Sequence, residues 1–427
     1  MHNLAISLSR KGYHVTGSDD AIYDPAKSNL DEAGLLPKVG WNKANITLDI
    51  DVIILGMHAR KDNVELAEAE KLGLKIMSFP EFVASECDDK KRVVIAGSHG
   101  KTTTTSIIMF VLAKLNIDFD YLVGSSVEGF DLSVKLTDAP LIIIEGDEYL
   151  SSPIDMRSKF VWYNPHISII TGIAYDHINV FPTFELYVKT FEDYIETHTD
   201  NGIYFWFKKD EILERLALKS AVKNQAYTTP YNTVINGVTT LIHDDVEYPI
   251  EMIGEHNLEN IEAASLVCEQ LGVERDVFFK TVSSFTGAGK RMEKVYDSPN
   301  QVVYRDFAHS PSKLEATTRA VKKAFDTPLT AVFELHTFSS LNKDFLPLYK
   351  ATMDSADSAT VFYNKAVFMH RKMEPFEKEF VQRCFGNVEV ITDVKELELK
   401  VNSSFKKGDN ILLMSSGKFE DAQFDFT

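Results

Sequence analysis

At 427 residues the chain is long enough for about three domains of ~150 residues, and 44% hydrophobic with 25% charged residues argues against extended disorder. Acidic residues outnumber basic ones by 63 to 45, for a formal charge of −18, a field that makes nucleic acid and membrane surfaces poor partners. Cys87, Cys268 and Cys384 are too scattered for a disulfide framework or zinc ribbon, and with neither an apolar run near ~20 residues nor a signal peptide the expectation is a soluble, cytoplasmic protein.

Residues 1–88 predict a small α/β unit. Leu4 to Leu8 has helical spacing, and "KGYHVTGSD" predicts a loop into a strand ending at Ser18 and Asp19. "DVIILG" (51–56) is an apolar run of strand length, and "NVELAEAEKLG" is helical; their alternation implies a parallel sheet. Such units normally begin with a strand and a glycine-rich turn. This one opens inside the helix, so an incomplete N-terminus is expected.

A polar junction, "DDKK" (88–91), leads into a central region, 89–295. "RVVIAGSHGKTTTTSIIMFVLAKL" reads as strand, glycine-containing loop and apolar helix. "LIIIEGDEY" (141–149) and "ISIITGIAYDH" (167–177) are buried-strand patterns ending in acidic or histidine residues. Residues 201–254 are more β-like, and a helix follows from about Asn257 to Leu271. After "FTGAGKRMEKV" (285–295), residues 296–427 alternate strands ("VVYRDFAHSP", "LTAVFEL", "SATVFY", "VEVI", "NILLMSSG") with helical segments, a second doubly wound unit.

"GSHGKTT" (97–103) carries the strongest chemical signal. Small residues between a strand and a helix let successive N–H groups face phosphate oxygens, and the helix start adds partial positive charge. Lys101 would neutralise phosphates and the Thr102 hydroxyl would ligate Mg²⁺. Ile95 stands where the strict motif has its first glycine, so a plain βα turn is the rival reading. Glu145, Asp147 and Glu148 follow one strand, and Asp176 with His177 follows another. Carboxylates beside a phosphate loop suit Mg²⁺; a lone histidine is more often structural, but the place of His177 after a strand end, next to Asp176, points to a role at or beside the metal.

In chain order, "GSHGKTTT", "EGDEY", "YDH", "GEHNLENIEAA", "GAGKRME" and "DFAHSP" resemble the Mur ligases, the ATP-dependent amino-acid ligases of peptidoglycan synthesis. The family's shortened loop matches the first of these without the missing glycine. The resemblance implies three α/β domains: a Rossmann-like UDP-sugar unit (1–88) lacking its first strand, a central P-loop ATPase domain (89–295), and a Rossmann-like C-terminal domain (296–427) closing over ATP and acceptor. It further implies that ATP converts the lactyl carboxylate of UDP-N-acetylmuramate into an acyl phosphate that an incoming amine attacks. ATP would be held by Gly97, Ser98, His99, Gly100, Lys101, Thr102 and Thr103, with Asn257, Asn260, Arg291, Asp306 and His309. Lys101, Glu145 and His177 would be catalytic, and Thr102, Glu145 and His177 would hold Mg²⁺. Ser18, Asp19, His58 and Asn63 would meet the UDP-sugar; Arg157 and Lys159 are candidates for tripeptide or sugar carboxylates.

"PIDMRSKFVWYNP" (153–165) and "MSSGKF" (414–419) resemble members that attach L-Ala-γ-D-Glu-meso-diaminopimelate in peptidoglycan recycling; L-alanine is the alternative acceptor. "FELHTFSS" departs from the family at His336 and Thr337, where an arginine is common, which leaves acceptor specificity and full activity open. A P-loop kinase and a non-catalytic UDP-sugar-binding protein are the rival functions. For Asn257 a helix N-cap, and for Arg291 a linker salt bridge, are the competing structural roles.

Overall fold

The computed structural model describes residues 1–426 apart from 58, 176–179, 236, 288, 290, 371 and 372. The chain forms two compact units, residues 1–173 with 180–227, and residues 174–175 with 228–426.

The first unit opens with α1 (His2–Lys11), which buries Leu4, Ile6 and Leu8 and stops at Gly12 in a left-handed conformation. After α2 (Ala26–Glu32) come β1 (Ile53–Leu55), α3 (Val64–Leu72), β2 (Ile76–Ser78) and α4 (Phe79–Ser85), with β1 and β2 parallel. Ser78 and Glu81 form a capping box that starts α4, helped by Pro80 in the first turn. The strand expected to end at Ser18 and Asp19 is absent: residues 13–19 join no ladder and are largely exposed. Val15 is the lone aliphatic residue in that polar run, too little to bury one face of a strand.

A seven-stranded sheet follows, in the order β5-β4-β6-β3-β7-β8-β9. Its elements are β3 (Lys91–Ala96), α5 (Lys101–Lys114), β4 (Asp120–Leu122), β5 (Val134–Lys135), β6 (Leu141–Glu145), β7 (Ile167–Ile170), α6 (Phe184–Glu196), β8 (Ile203–Phe207), α7 (Glu211–Lys219) and β9 (Lys223–Tyr227). Only the β4–β5 pairing is antiparallel. In the central strands β3, β6 and β7, residues 93–96, 141–145 and 167–170 are buried throughout and mostly aliphatic, as expected of parallel strands covered on both faces. Where the polar junction enters this sheet, Lys90 Nζ donates to the carbonyls of Thr137 (2.8 Å) and Ala139 (2.7 Å). It also pairs with Asp120 at 3.2 Å, both side chains being essentially inaccessible.

In the second unit, β10 (Asn232–Ile235), β11 (Val238–His243) and β12 (Val246–Ile250) form an antiparallel sheet, followed by α8 (Glu255–Gln270) and α9 (Arg275–Val282). A six-stranded sheet, ordered β13-β14-β18-β15-β16-β17, is parallel except at its β13 edge. It comprises β13 (Glu293–Ser298), β14 (Gln301–Asp306), α10 (Pro311–Ala324), β15 (Leu329–Glu334), β16 (Ser358–Phe362), α11 (Lys365–His370), α12 (Lys378–Phe385), β17 (Glu389–Ile391), α13 (Val394–Lys406) and β18 (Asn410–Met414). Alternate strand residues feed separate cores, Phe333 and Leu412 in one, Val332 and Leu413 in the other, the period-two division that a sheet covered on both faces imposes. The strands expected in residues 296–427 all form.

Candidate active site

The loop between β3 and α5 is built by two glycines with left-handed backbones. Gly97 has φ +119, and a Cβ there would stand 2.2 Å from Thr171 Oγ1 and 2.7 Å from Thr171 N, so only glycine fits. Gly100 (φ 77) begins α5 without any side-chain cap, leaving the first-turn N–H groups oriented as an anion-binding helix start. Further contacts pin the loop to the exit of β7. Ser98 N donates to Gly172 O (2.9 Å), and the Thr171 hydroxyl donates to Ala96 O (3.2 Å) and to the carbonyl of His99.

Lys101, the first residue of α5, folds back so that Nζ donates to Gly97 O (2.7 Å) and to Glu148 Oε2 (2.8 Å). The ammonium side chain is 11% exposed and its carboxylate partner 0%. Burial alone would lower the Lys101 pKa, but the charges of Glu148, Asp147 and Glu145 outweigh it and hold the value above the ordinary one. Thr102 Oγ1 donates to Glu145 Oε1 (2.8 Å), and Gly124 N donates to Glu145 Oε2 (3.0 Å). Burial, then the neighbouring Asp147, push the Glu145 carboxyl above its usual range. A hydroxyl and a desolvated carboxylate side by side beside a phosphate loop are the hard oxygen donors that Mg²⁺ takes, alongside water and substrate phosphates. Thr103 is buried on the same first turn of α5. His177 and Asp176 lie outside the described residues, as does His58. Among the described residues, no three His, Cys, Asp or Glu side chains gather as a metal-holding group.

The other expected nucleotide contacts lie in the second unit. Gly254, not Asn257, caps α8; Asn257 is one turn inside, buried, and its Nδ2 donates to Ile253 O (2.8 Å). Asn260 is buried three residues further along. The Arg291 guanidinium sits 4.6 Å over the Phe307 ring. His309 contacts Phe307 O through Nδ1 (2.8 Å), and its own carbonyl accepts from Tyr349 OH (2.6 Å). Both oxygens of Asp306 are engaged within the chain, by Met292 N (3.0 Å) and Thr317 Oγ1 (2.8 Å), so in this structure the carboxylate is a strut between β14, α10 and the preceding segment. In the region lacking the arginine, the Glu334 carboxylate accepts from the Ser415 hydroxyl and from Phe419 N (2.9 Å). His336 Nδ1 lies 3.3 Å from Ser416 Oγ, and Thr337 Oγ1 donates to Ser340 Oγ (3.0 Å).

Of the UDP-sugar candidates, Asn63 is the N-cap of α3, its side chain accepting from Glu65 N and Leu66 N. Ser18 Oγ accepts from Asn45 Nδ2 (3.3 Å), and Asp19 Oδ1 accepts from Asp20 N (2.9 Å). Arg157 stacks 3.8 Å over Trp162 and pairs with Asp155 (2.9 Å); Lys159 pairs with Asp147 (3.2 Å). Sequence reasoning missed Gly124, whose position leaves a Cβ only 3.2 Å from Glu145 Oε1, and the pairing of Glu148 with Lys101. Only the glycine after the short "YLV" run (121–123) hinted at the former.

Residues 1–91 match the family model described as Mur ligase family, catalytic domain; residues 95–268 match the Mur ligase middle domain, and 290–417 the Mur ligase glutamate ligase domain. The chain is 27% identical to the UDP-N-acetylmuramate–L-alanyl-gamma-D-glutamyl-meso-2,6-diaminoheptandioate ligase of Haemophilus influenzae, over 98% of this chain and 94% of that protein. It is 30% identical to the UDP-N-acetylmuramate–L-alanine ligase of Lactobacillus delbrueckii subsp. bulgaricus, over 86% of this chain and 83% of that one. A crystal structure of a murein peptide ligase from Psychrobacter arcticus 273-4 shares the fold with a TM-score of 0.66 at 24% identity, covering 99% of this chain and 95% of that one. The chain belongs to the Mur ligase family, whose members are ATP-dependent amide-bond ligases. It is an enzyme of that class, with the family's three-domain α/β fold.

Proposed function

We propose that the enzyme joins the lactyl carboxylate of UDP-N-acetylmuramate to the α-amine of L-Ala-γ-D-Glu-meso-diaminopimelate, using ATP, in peptidoglycan recycling. The arrangement of Lys101, Thr102 and Glu145 around an uncapped helix start is the observation that carries the ATP chemistry. The near-full-length likeness to the Haemophilus ligase supports the tripeptide as acceptor; the Lactobacillus relative supports L-alanine as the second reading.

The carboxylate oxygen attacks the γ-phosphorus, ADP departs, and the resulting acyl phosphate carries a good leaving group. The acceptor amine then adds to the carbonyl carbon, loses a proton, and expels phosphate to leave the amide. This sequence needs positioning and charge neutralisation rather than a protein nucleophile. Lys101 and the N–H groups of residues 98–102 would hold the β- and γ-phosphates. Thr102 and Glu145 would hold Mg²⁺, which when bound neutralises charge developing on the phosphate oxygens. Ser18 and Asp19 would face the uridine sugar, and Asn257 and Asn260 the adenine.

Purified protein supplied with UDP-N-acetylmuramate and ATP should release ADP and phosphate with the tripeptide, more slowly with L-alanine, and negligibly with neither. Faster turnover with L-alanine would select the second reading. A phosphorylated sugar would indicate a kinase, and no turnover with any acceptor would overturn the ligase assignment.

A further inference from the structure

Tyr187, on the first turns of α6, is fully buried. Its ring meets Phe181 and Phe191 edge to face, with centroids 5.0 and 5.3 Å away. That packing accounts for an aromatic ring at this position but not for its hydroxyl, which costs free energy to bury unless it has partners. The partners belong to the phosphate site. Tyr187 OH lies 2.8 Å from Ser98 Oγ and donates to Glu148 Oε1 at 3.1 Å. A phenol has one proton; with that proton on the carboxylate, Ser98 is the donor in the other contact. The second oxygen of Glu148 accepts from Lys101 Nζ (2.8 Å), and Lys101 returns to Gly97 O (2.7 Å). The hydrogen bonds therefore run from Ser98 through Tyr187, Glu148 and Lys101 to Gly97, a ring that starts and finishes on adjacent residues of the loop.

We propose that Tyr187 is a positioning residue for nucleotide binding: its hydroxyl fixes Ser98 and Glu148, and through Glu148 the Lys101 ammonium, in a phosphate-ready arrangement before ATP arrives. The inference rests on residues 97–103 being the ATP loop. Among the described residues, Gly97 and Glu148 take two of the three Lys101 protons, so the ammonium can meet a phosphate oxygen without leaving the ring. When the hydroxyl is removed, ATP itself must order the loop. Apparent affinity then falls by the fraction of molecules no longer arranged, while the complex, once formed, reacts as before.

The test uses the full chain with Tyr187→Phe, Ser98→Ala and the double variant, at saturating UDP-N-acetylmuramate and acceptor. Each single variant should raise KM for ATP about tenfold, the loss expected for one buried hydrogen bond to a charged network, with kcat within about twofold. The double variant should be no worse than the worse single one, because both break the same link. A folded Tyr187→Phe enzyme with wild-type KM for ATP, or effects that multiply in the double variant, would overturn the proposal. Should Tyr187→Phe prove too unstable to assay, Ser98→Ala cuts the link from the loop side: it should lower the nucleotide-free melting temperature as well as raise KM for ATP, and a raised KM with an unchanged melting temperature would mark a direct nucleotide contact and overturn the proposal. Failure of the unmodified chain to bind or turn over ATP would overturn the ATP reading and this proposal together; wild-type turnover with an unaltered Tyr187→Phe enzyme sinks this proposal alone.

Discussion

Removing Lys101 should do more than abolish ATP turnover. A lysine that only touched nucleotide could be deleted with no effect on the empty protein, but Glu148 lies at 0% exposure with Lys101 as its ion partner. Breaking one side of a buried pair costs ~3–5 kcal/mol, because the remaining charge loses its counter-ion while still held away from water. In a unit of this size each kcal/mol moves the melting temperature by about 2–4 °C. Since the ammonium is 11% exposed, the lower end applies, and Lys101→Ala should melt roughly 10 °C below wild type at pH 8. Lys101→Met combined with Glu148→Gln removes both charges and leaves the Tyr187 hydroxyl an acceptor. It should recover most of the lost stability and none of the turnover. Differential scanning fluorimetry without nucleotide measures all of this. A Lys101→Ala protein as stable as wild type at pH 8, or a double variant as unstable as the single, would refute the coupling of loop lysine and buried acid.

Gly97→Ala should lose ATP binding and stability together, by about 2 kcal/mol or more from overpacking plus a left-handed backbone, since its Cβ would collide with Thr171; urea unfolding and analogue binding both report it. His198 gives a pH prediction. Burial lowers its pKa from 6.5 to about 4, with Nδ1 on Ile195 O and Nε2 on Ser168 Oγ. The folded state favours the neutral ring, so this contribution is complete above pH 6.5 and is lost as pH falls through about 4. It amounts to about 3 kcal/mol at 1.36 kcal/mol per pKa unit. Urea titrations at pH 7 and pH 4 should show a steeper loss in the wild type than in His198→Asn; equal slopes would remove the histidine from the acid response.

The fold was legible wherever one local pattern agreed with the sheet. The runs at Val93–Ala96, Leu141–Glu145 and Ile167–Ile170 read as buried strands and are buried strands. The phosphate loop was legible although Ile95 replaces a glycine, because the conformational demand falls on Gly97 and Gly100, the residues with positive φ. What could not be read depends on partners far away in the chain. Nothing near Glu148 announces that Lys101, 47 residues earlier, will take its charge. Tyr187 looks like any aromatic on an amphipathic helix. Asp306 was legible as a marked position, but whether its oxygens face a ligand or the backbone of Met292 is decided by the path of residues 285–295. The segment at 13–19 failed for the opposite reason: a strand was read into a polar run with too little apolar surface to hold one.

The "DDKK" junction looks like a flexible tether, and Lys90 makes it a rivet. Its ammonium is threaded through the carbonyls of Thr137 and Ala139 onto Asp120, so the handover from the small N-terminal sheet to the central one is clamped from inside. A buried charge pair tolerates little sliding, because any displacement strands an ion in an apolar surrounding. The entry into β3 is therefore fixed to the central sheet, and Lys90, though one of 45 basic residues, is closed to amine-modifying reagents for as long as the joint holds.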